Sequence, residues 1–150
     1  MKKLFYLTVF ITGFAIATAA APAPTGISEK VLKAFSETFA SARDVTWHEY
    51  ETYTQANFRQ DDIQVRAQYD GEGTLLKTTR YYSEKQLLPS IVAKLKKRYA
   101  GKEINGVTET SSEEEVSFVI SLKDDKNWYI VHSDMYGNLQ QIDKYKRADL

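Results

Sequence analysis

Two stretches decide how this chain is read: "QYDGEGTLLKTTRYY" (Gln68 to Tyr82) and "SDMYGNLQQIDKYK" (Ser133 to Lys146). Each contains Asp, two residues, Gly, one residue and Leu: Asp70, Gly73 and Leu75 in the first, Asp134, Gly137 and Leu139 in the second. Both are flanked by strand-forming residues. Taken alone the pattern is a weak hairpin signal, because glycine supplies a left-handed position in many tight turns. Its meaning depends on what surrounds each copy.

Before the first copy, Ser28 can cap a helix and Glu29 suits its first turn. Val31, Leu32, Phe35 and Phe39 then recur at helical spacing. From Val45 the period changes to that of strands. Val45 and Trp47, then Ala56 and Phe58, are apolar among polar neighbours, and Ile63, Val65, Ala67 and Tyr69 alternate with Gln64, Arg66 and Gln68. Leu75 to Tyr82 completes a fourth strand rich in Thr and Tyr.

Before the second copy the order repeats. Pro89 suits a first helical turn. Ile91, Val92, Leu95 and Tyr99 follow at helical spacing, and Gly101 ends the helix. Ile104 to Thr110 reads as a strand, and Val116, Phe118, Ile120 and Leu122 alternate strictly. Trp128, Ile130 and His132 alternate with Tyr129, Val131 and Ser133, and Leu139 to Tyr145 is the last strand. Phe35 and Phe39 correspond to Leu95 and Tyr99, Val45 to Val107 or Ile104, and the turns to each other. The Asp/Gly turn therefore closes two similar series, which indicates a duplicated unit.

The predicted fold is α+β: a tandem repeat of a helix plus a four-stranded antiparallel sheet, residues 28–86 and 87–150, within one domain, 28–150. One unit of about 55 residues would be marginal alone. Two units can align their sheets edge to edge with both helices on one face, which leaves the other face open.

The amino-terminal segment stands apart. Lys2 and Lys3, the apolar run Leu4 to Ala17 and the small residues Ala17 to Ala21 form a secretory signal peptide over 1–21. A Pro/Ala linker, 22–27, follows. Without Lys2 and Lys3 the chain has 18 basic against 20 acidic residues. That balance gives no overall attraction to nucleic acid or anionic lipid. The basic run Lys94, Lys96, Lys97 and Arg98 complements the C-terminal end of a helix dipole. No second long apolar segment follows the leader, so the mature chain is not expected to span a membrane.

Signals for chemistry are sparse. There is no Cys, and His48 and His132 are the only histidines, without metal-ligand spacing to another strong ligand. Asp61-Asp62 and Asp124-Asp125 read as turn formers, and Glu113 to Glu115 as a solvated hairpin edge. No catalytic residue, metal or cofactor is assigned. The expectation is a binding module, not an enzyme. Its open face draws on the polar phase of the strands: Tyr50, Asn57, Arg59, Arg66, Gln68, Lys77, Thr79 and Tyr81. Interfaces favour Tyr, Trp and Arg anchors, which selects Tyr50, Arg59, Arg66, Tyr81 and Trp128. Trp47, Phe58, Tyr69, Phe118 and Ile130 are assigned to the core. Alternatives are a small-ligand pocket between the units and self-association through an outer sheet edge.

"VLKAFSETFASARDVTWHEY" (Val31 to Tyr50), "QANF" (Gln55 to Phe58), "LLPSIVAKLKKRYAGKEINGV" (Leu87 to Val107) and "YIVHSDMYGNL" (Tyr129 to Leu139), together with the first turn stretch, resemble the small exported PepSY-like proteins of Bacteroidetes. These are related in architecture to the beta-lactamase inhibitory protein (BLIP). The resemblance implies a tandem helix-plus-sheet fold in the periplasm or outside the cell. It also implies a regulatory or inhibitory role toward a peptidase or another envelope protein. The inhibitory relative grips its enzyme with a concave sheet. It is disulfide-bonded, whereas this chain has no Cys, and its contact residues have no recognisable counterpart here.

Overall fold

The two Asp/Gly stretches fold into matching turns. The Asp70 Oδ1 atom accepts hydrogen bonds from the backbone N–H groups of Glu72 (2.9 Å) and Thr74 (2.8 Å). Asp134 Oδ1 accepts from Tyr136 (2.9 Å) and Asn138 (2.9 Å) in the same pattern. A carboxylate at the first position thus satisfies amides that the tight bend leaves unpaired. Gly73 and Gly137 hold the left-handed positions, with φ of +87° and +76°.

The computed structural model describes residues 26–148. The signal-peptide assignment and most of the 22–27 linker lie outside these residues. Helix α1 (Glu29–Thr38) precedes strands β1 (Arg43–Glu49), β2 (Thr54–Gln60), β3 (Ile63–Tyr69) and β4 (Leu75–Tyr82). A 3-10 turn (Glu84–Gln86) leads into α2 (Pro89–Arg98) and then β5 (Glu103–Ser112), β6 (Val116–Lys123), β7 (Asn127–Asp134) and β8 (Leu139–Lys146). Both helices end alike. The Phe39 amide donates to the Phe35 carbonyl at 2.8 Å, and the Tyr99 amide to the Leu95 carbonyl at 2.7 Å. Ser28 stands at the first helix's N-cap position, but its Oγ donates to the Gly71 carbonyl (3.4 Å) and makes no cap bond.

The expectation of two four-stranded sheets is corrected here. All eight strands form one antiparallel sheet in chain order, with two helices, so the fold is mainly β. The reason is the join between β4 and β5. These strands pair in unbroken register from Lys77↔Ser112 to Tyr82↔Val107, with the 3-10 turn and α2 carried between them. No sheet edge is left at mid-molecule.

Register places both helices on the same side. Val65 pairs with Arg80, Arg80 with Glu109, and Glu109 with Phe118, so one face runs continuously from the first core to the second. Under α1, Val31 and Phe35 bury against Ala56, Phe58, Val65, Ala67 and Tyr69. The Phe35 ring meets Trp47 and Phe58 edge-on at 5.0 and 5.1 Å. Under α2, Ile91, Leu95 and Tyr99 bury against Phe118, Ile120, Leu122 and Val131. Burying each large side chain contributes about 1.5–3 kcal/mol. Tyr82 touches both clusters.

Phe58, Tyr69 and Phe118 are buried as expected from the sequence. Trp47 is only half-buried, because β1 is an edge strand. Ile130 is misassigned: Tyr129, Val131 and Ser133 form the buried phase of β7, and Ile130 lies on the opposite face. Trp47 and Val107 each follow a register shift and pair with a buried residue of the next strand, Ala56 and Ile120. Asp61 and Asp62 form the β2–β3 turn with φ of +48° and +64°.

Candidate binding face

The face opposite the helices carries the alternate residues of every strand. Its rows follow from the register. One runs His48, Gln55, Gln68, Lys77, Ser112. The next runs Thr46, Asn57, Arg66, Thr79, Thr110, Ser117, Asp134. A third runs Arg59, Gln64, Tyr81, Thr108, Val119, His132, Gln140. Among the described residues no helix packs on this side.

Amides make its first half rigid. Gln68 Nε2 donates to Gln55 Oε1 at 2.9 Å, and Gln55 Nε2 donates to Asn57 Oδ1 at 2.8 Å. Gln55 is buried by its neighbours, and these bonds offset its desolvation. The Arg66 guanidinium carbon lies 5.2 Å from the centroid of the Tyr81 ring on the next strand. At an exposed site this contact is worth about 0.5–1 kcal/mol, and it orders both side chains.

Of the five sequence-selected residues, three come together. Arg59, Arg66 and Tyr81 are diagonal neighbours on β2, β3 and β4, with about 7–8 Å between adjacent members. Arg59 also approaches Asp62 in the following turn (Nη2 to Oδ1, 3.9 Å). Tyr50 lies in the β1–β2 turn, stacked on Tyr53 with ring centroids 4.5 Å apart. That turn is at the far end of the hairpin from Arg59, roughly 20 Å away at strand rise. Trp128 is on β7, three strands from Tyr81, or about 14 Å across the sheet. It sits between Lys123 and Arg147, whose charges lie 6.0 and 5.8 Å from its ring.

The second half of the face holds residues that the sequence reading passed over. Val119 (39% exposed) and Ile130 share it with Tyr145 (52% exposed), and Lys123, Trp128 and Tyr145 form one row. The available signal was an apolar residue, Val119, in the polar phase of an otherwise clean strand. A shallow hollow of about 250 Å³ lies where β4, β5 and β6 meet, lined by Tyr81, Gly106, Thr108, Val119 and Ser121. A roomier one, about 770 Å³, is on the helix side beside the start of α2 and is lined by Leu87, Pro89, Val92 and Ile104.

Among the described residues no three His, Cys, Asp or Glu side chains cluster to hold a metal. His48 and His132 stand on β1 and β7, about 29 Å apart across the sheet, and cannot act on one group. Among the described residues no helix is long and apolar enough to cross a membrane.

No protein-family model matches the chain, and no curated protein matches it in sequence. Solved structures do. A BLIP-like protein from Bacteroides fragilis NCTC 9343 superposes with a TM-score of 0.62 at 14% identity, over 85% of this chain and 92% of that one. A DUF2874 family protein from Bacteroides ovatus ATCC 8483 gives 0.61 at 18% identity, over 83% and 90%. A candidate periplasmic protein from Bacteroides eggerthii DSM 20697 gives 0.60 at 11% identity, over 80% and 88%. The eight-stranded sheet with two helices on one side is therefore the BLIP-like fold.

Proposed function

We propose that this chain is a non-catalytic cell-envelope module that binds a protein or peptide partner through the open face of its sheet. The observation that carries this reading is the uncovered face itself, a hydrogen-bonded polar array with Arg59, Arg66 and Tyr81 grouped in its first half. Arginine and tyrosine are the side chains that most often anchor protein interfaces. A broad face suits a protein better than a small ligand, because its hollow, about 250 Å³, falls below the usual range of ligand pockets.

Three further points support the setting and the origin. The leader 1–21 has the pattern of an export signal, and one protein of the same fold is described as a periplasmic candidate. The matched turns at Asp70 and Asp134 support a duplicated helix-and-sheet unit of the PepSY-like kind. The BLIP-like fold supports modulation of an envelope enzyme such as a peptidase, as an analogy of fold alone.

The test is capture from a cell-envelope extract of the source organism with residues 22–150, beside an Arg59→Glu/Arg66→Glu variant. One saturable protein partner, lost in the folded variant, is the expected result. A partner retained by the variant at unchanged affinity would count against this cluster.

A further inference from the structure

The open-face positions of the first four strands share a property that the whole chain lacks. Register assigns Arg43, Thr46 and His48 of β1 to this face, with Gln55, Asn57 and Arg59 of β2. Gln64, Arg66 and Gln68 of β3 follow, then Lys77, Thr79 and Tyr81 of β4. Four of these side chains are permanent cations, Arg43, Arg59, Arg66 and Lys77, and none is acidic. The chain as a whole is balanced, with 20 basic and 20 acidic residues. Two acidic strand residues fall in the opposite phase: Glu49 pairs with Thr54 on the helix side, and Glu109 pairs there with Arg80. Asp62, in the turn beyond Arg59, approaches this set: its exposed Oδ1 lies 3.9 Å from Arg59 Nη2. Sorting charge in this way concentrates positive potential on one half-face.

The hollow over Gly106 borders this half. Tyr81 belongs to both the basic set and the hollow's wall, and Val119 supplies an exposed apolar surface on the other side. Its volume of about 250 Å³ suits one apolar side chain of a partner. Gly106 makes the floor. A Cβ built there would meet only Ser121 Oγ, at 3.5 Å, which is ordinary contact. The glycine is thus not demanded by packing inside the protein, and the space above it is free for a guest group.

We propose that the open face recognises an acidic protein segment that carries an apolar side chain, its carboxylates against Arg59 and Arg66 and its apolar group in the hollow over Gly106. This deepens the open-face reading and rests on it. The charges steer and orient the segment, and the apolar anchor contributes the desolvated contact that holds it.

The probes are a short acidic peptide with one central leucine, the same peptide with alanine there, and a lysine-rich counterpart. Each is titrated into isotope-labelled protein, residues 22–150, and followed by backbone amide shifts. The expected result is that the leucine peptide shifts amides of β2 to β6, binds at least about tenfold more tightly than either control, and weakens with salt. Arg59→Glu/Arg66→Glu should abolish binding. Gly106→Leu, whose Cβ meets only Ser121 Oγ at 3.5 Å, should fill the hollow and erase the preference for leucine over alanine while leaving charge-dependent binding. Equal binding of acidic and lysine-rich peptides on the open face would overturn the proposal and leave the face itself as the binding surface. Shifts confined to the helix side would overturn both. If no peptide binds, the proposal fails, while capture of an envelope protein that Thr110→Arg blocks would still uphold the open face.

Discussion

Arg80 and Glu109 tie the two halves of the sheet together: Arg80 Nη1 lies 3.2 Å from Glu109 Oε1 across the β4–β5 pair. The Tyr82 hydroxyl donates to the other carboxylate oxygen of Glu109. This polar group occupies the helix side between the two apolar cores, and the Glu109 side chain is largely buried there. Glu109→Ala should cost about 1–3 kcal/mol, because it leaves two donors short of a partner in a half-buried site. The check is urea denaturation, and an unchanged midpoint would remove the seam from the account. Glu109→Gln, which keeps an acceptor, should cost less.

Tyr69 poses the opposite case. Its ring is fully buried under α1, and its hydroxyl has no hydrogen-bond partner among the described residues. Tyr69→Phe should therefore be neutral or slightly stabilising near neutral pH. Burial also pushes the hydroxyl from 10.0 up to about 12. The unfolded chain releases that proton near pH 10 while the folded chain holds it, so stability is full below pH 10 and falls as pH rises toward about 12. Tyr82 acts in the same direction, from burial and the Glu109 carboxylate. Stability measured against pH should thus fall less steeply on the alkaline side in Tyr69→Phe than in the parent.

On the acid side the sign reverses. Asp124 accepts from the Tyr129 hydroxyl (2.7 Å) and from the backbone amides of Lys126 (2.9 Å) and Asn127 (2.8 Å). These bonds hold its carboxyl well below the usual carboxylate range. Its contribution is present above the unfolded value of 3.8 and is lost as pH falls below it. Asp70 and Asp134 are lowered too, first by the backbone N–H groups of Thr74 and Asn138. Asp124→Asn should lower stability at neutral pH and flatten its decline on acidification. A decline as steep as the parent's would contradict this assignment.

The two turn glycines should differ. A Cβ on Gly73 would lie 2.8 Å from the Lys30 carbonyl oxygen, a backbone atom of α1 that cannot yield without moving the helix. On Gly137 the nearest atom is Lys94 Cδ at 2.9 Å, on a flexible side chain. Both residues have positive φ, which alone costs roughly 1–2 kcal/mol for alanine. Gly73→Ala should therefore be the more damaging by thermal denaturation. Equal losses would show that φ, rather than the helix contact, sets the cost.

How far the sequence could be read varies by strand. In β3 every apolar residue falls in one phase, and Ile63, Val65, Ala67 and Tyr69 are all buried. In β7 both phases carry apolar and aromatic residues, so alternation cannot choose between them. The structure buries Ser133 fully and turns Ile130 outward. Edge-to-edge alignment of the units was legible, but not that β4 and β5 are the strands that meet, because pairing across an intervening helix leaves no local pattern. The same limits apply to the candidate site. Strand phase located Arg59, Arg66 and Tyr81 together on one face. Tyr50 was assigned by the same phase, but it lies just beyond β1 in the turn, where alternation no longer holds; Trp128 was selected by residue type, which carries no information on distance.

The central claim is that the open face is the one used. A photo-crosslinking residue in place of Thr79, at the middle of that face, can be compared in the living cell envelope with one in place of Lys33, exposed on α1. The account requires a discrete cross-linked protein from position 79 and none from position 33. The same product from position 33 alone would place the partner on the helices and contradict it.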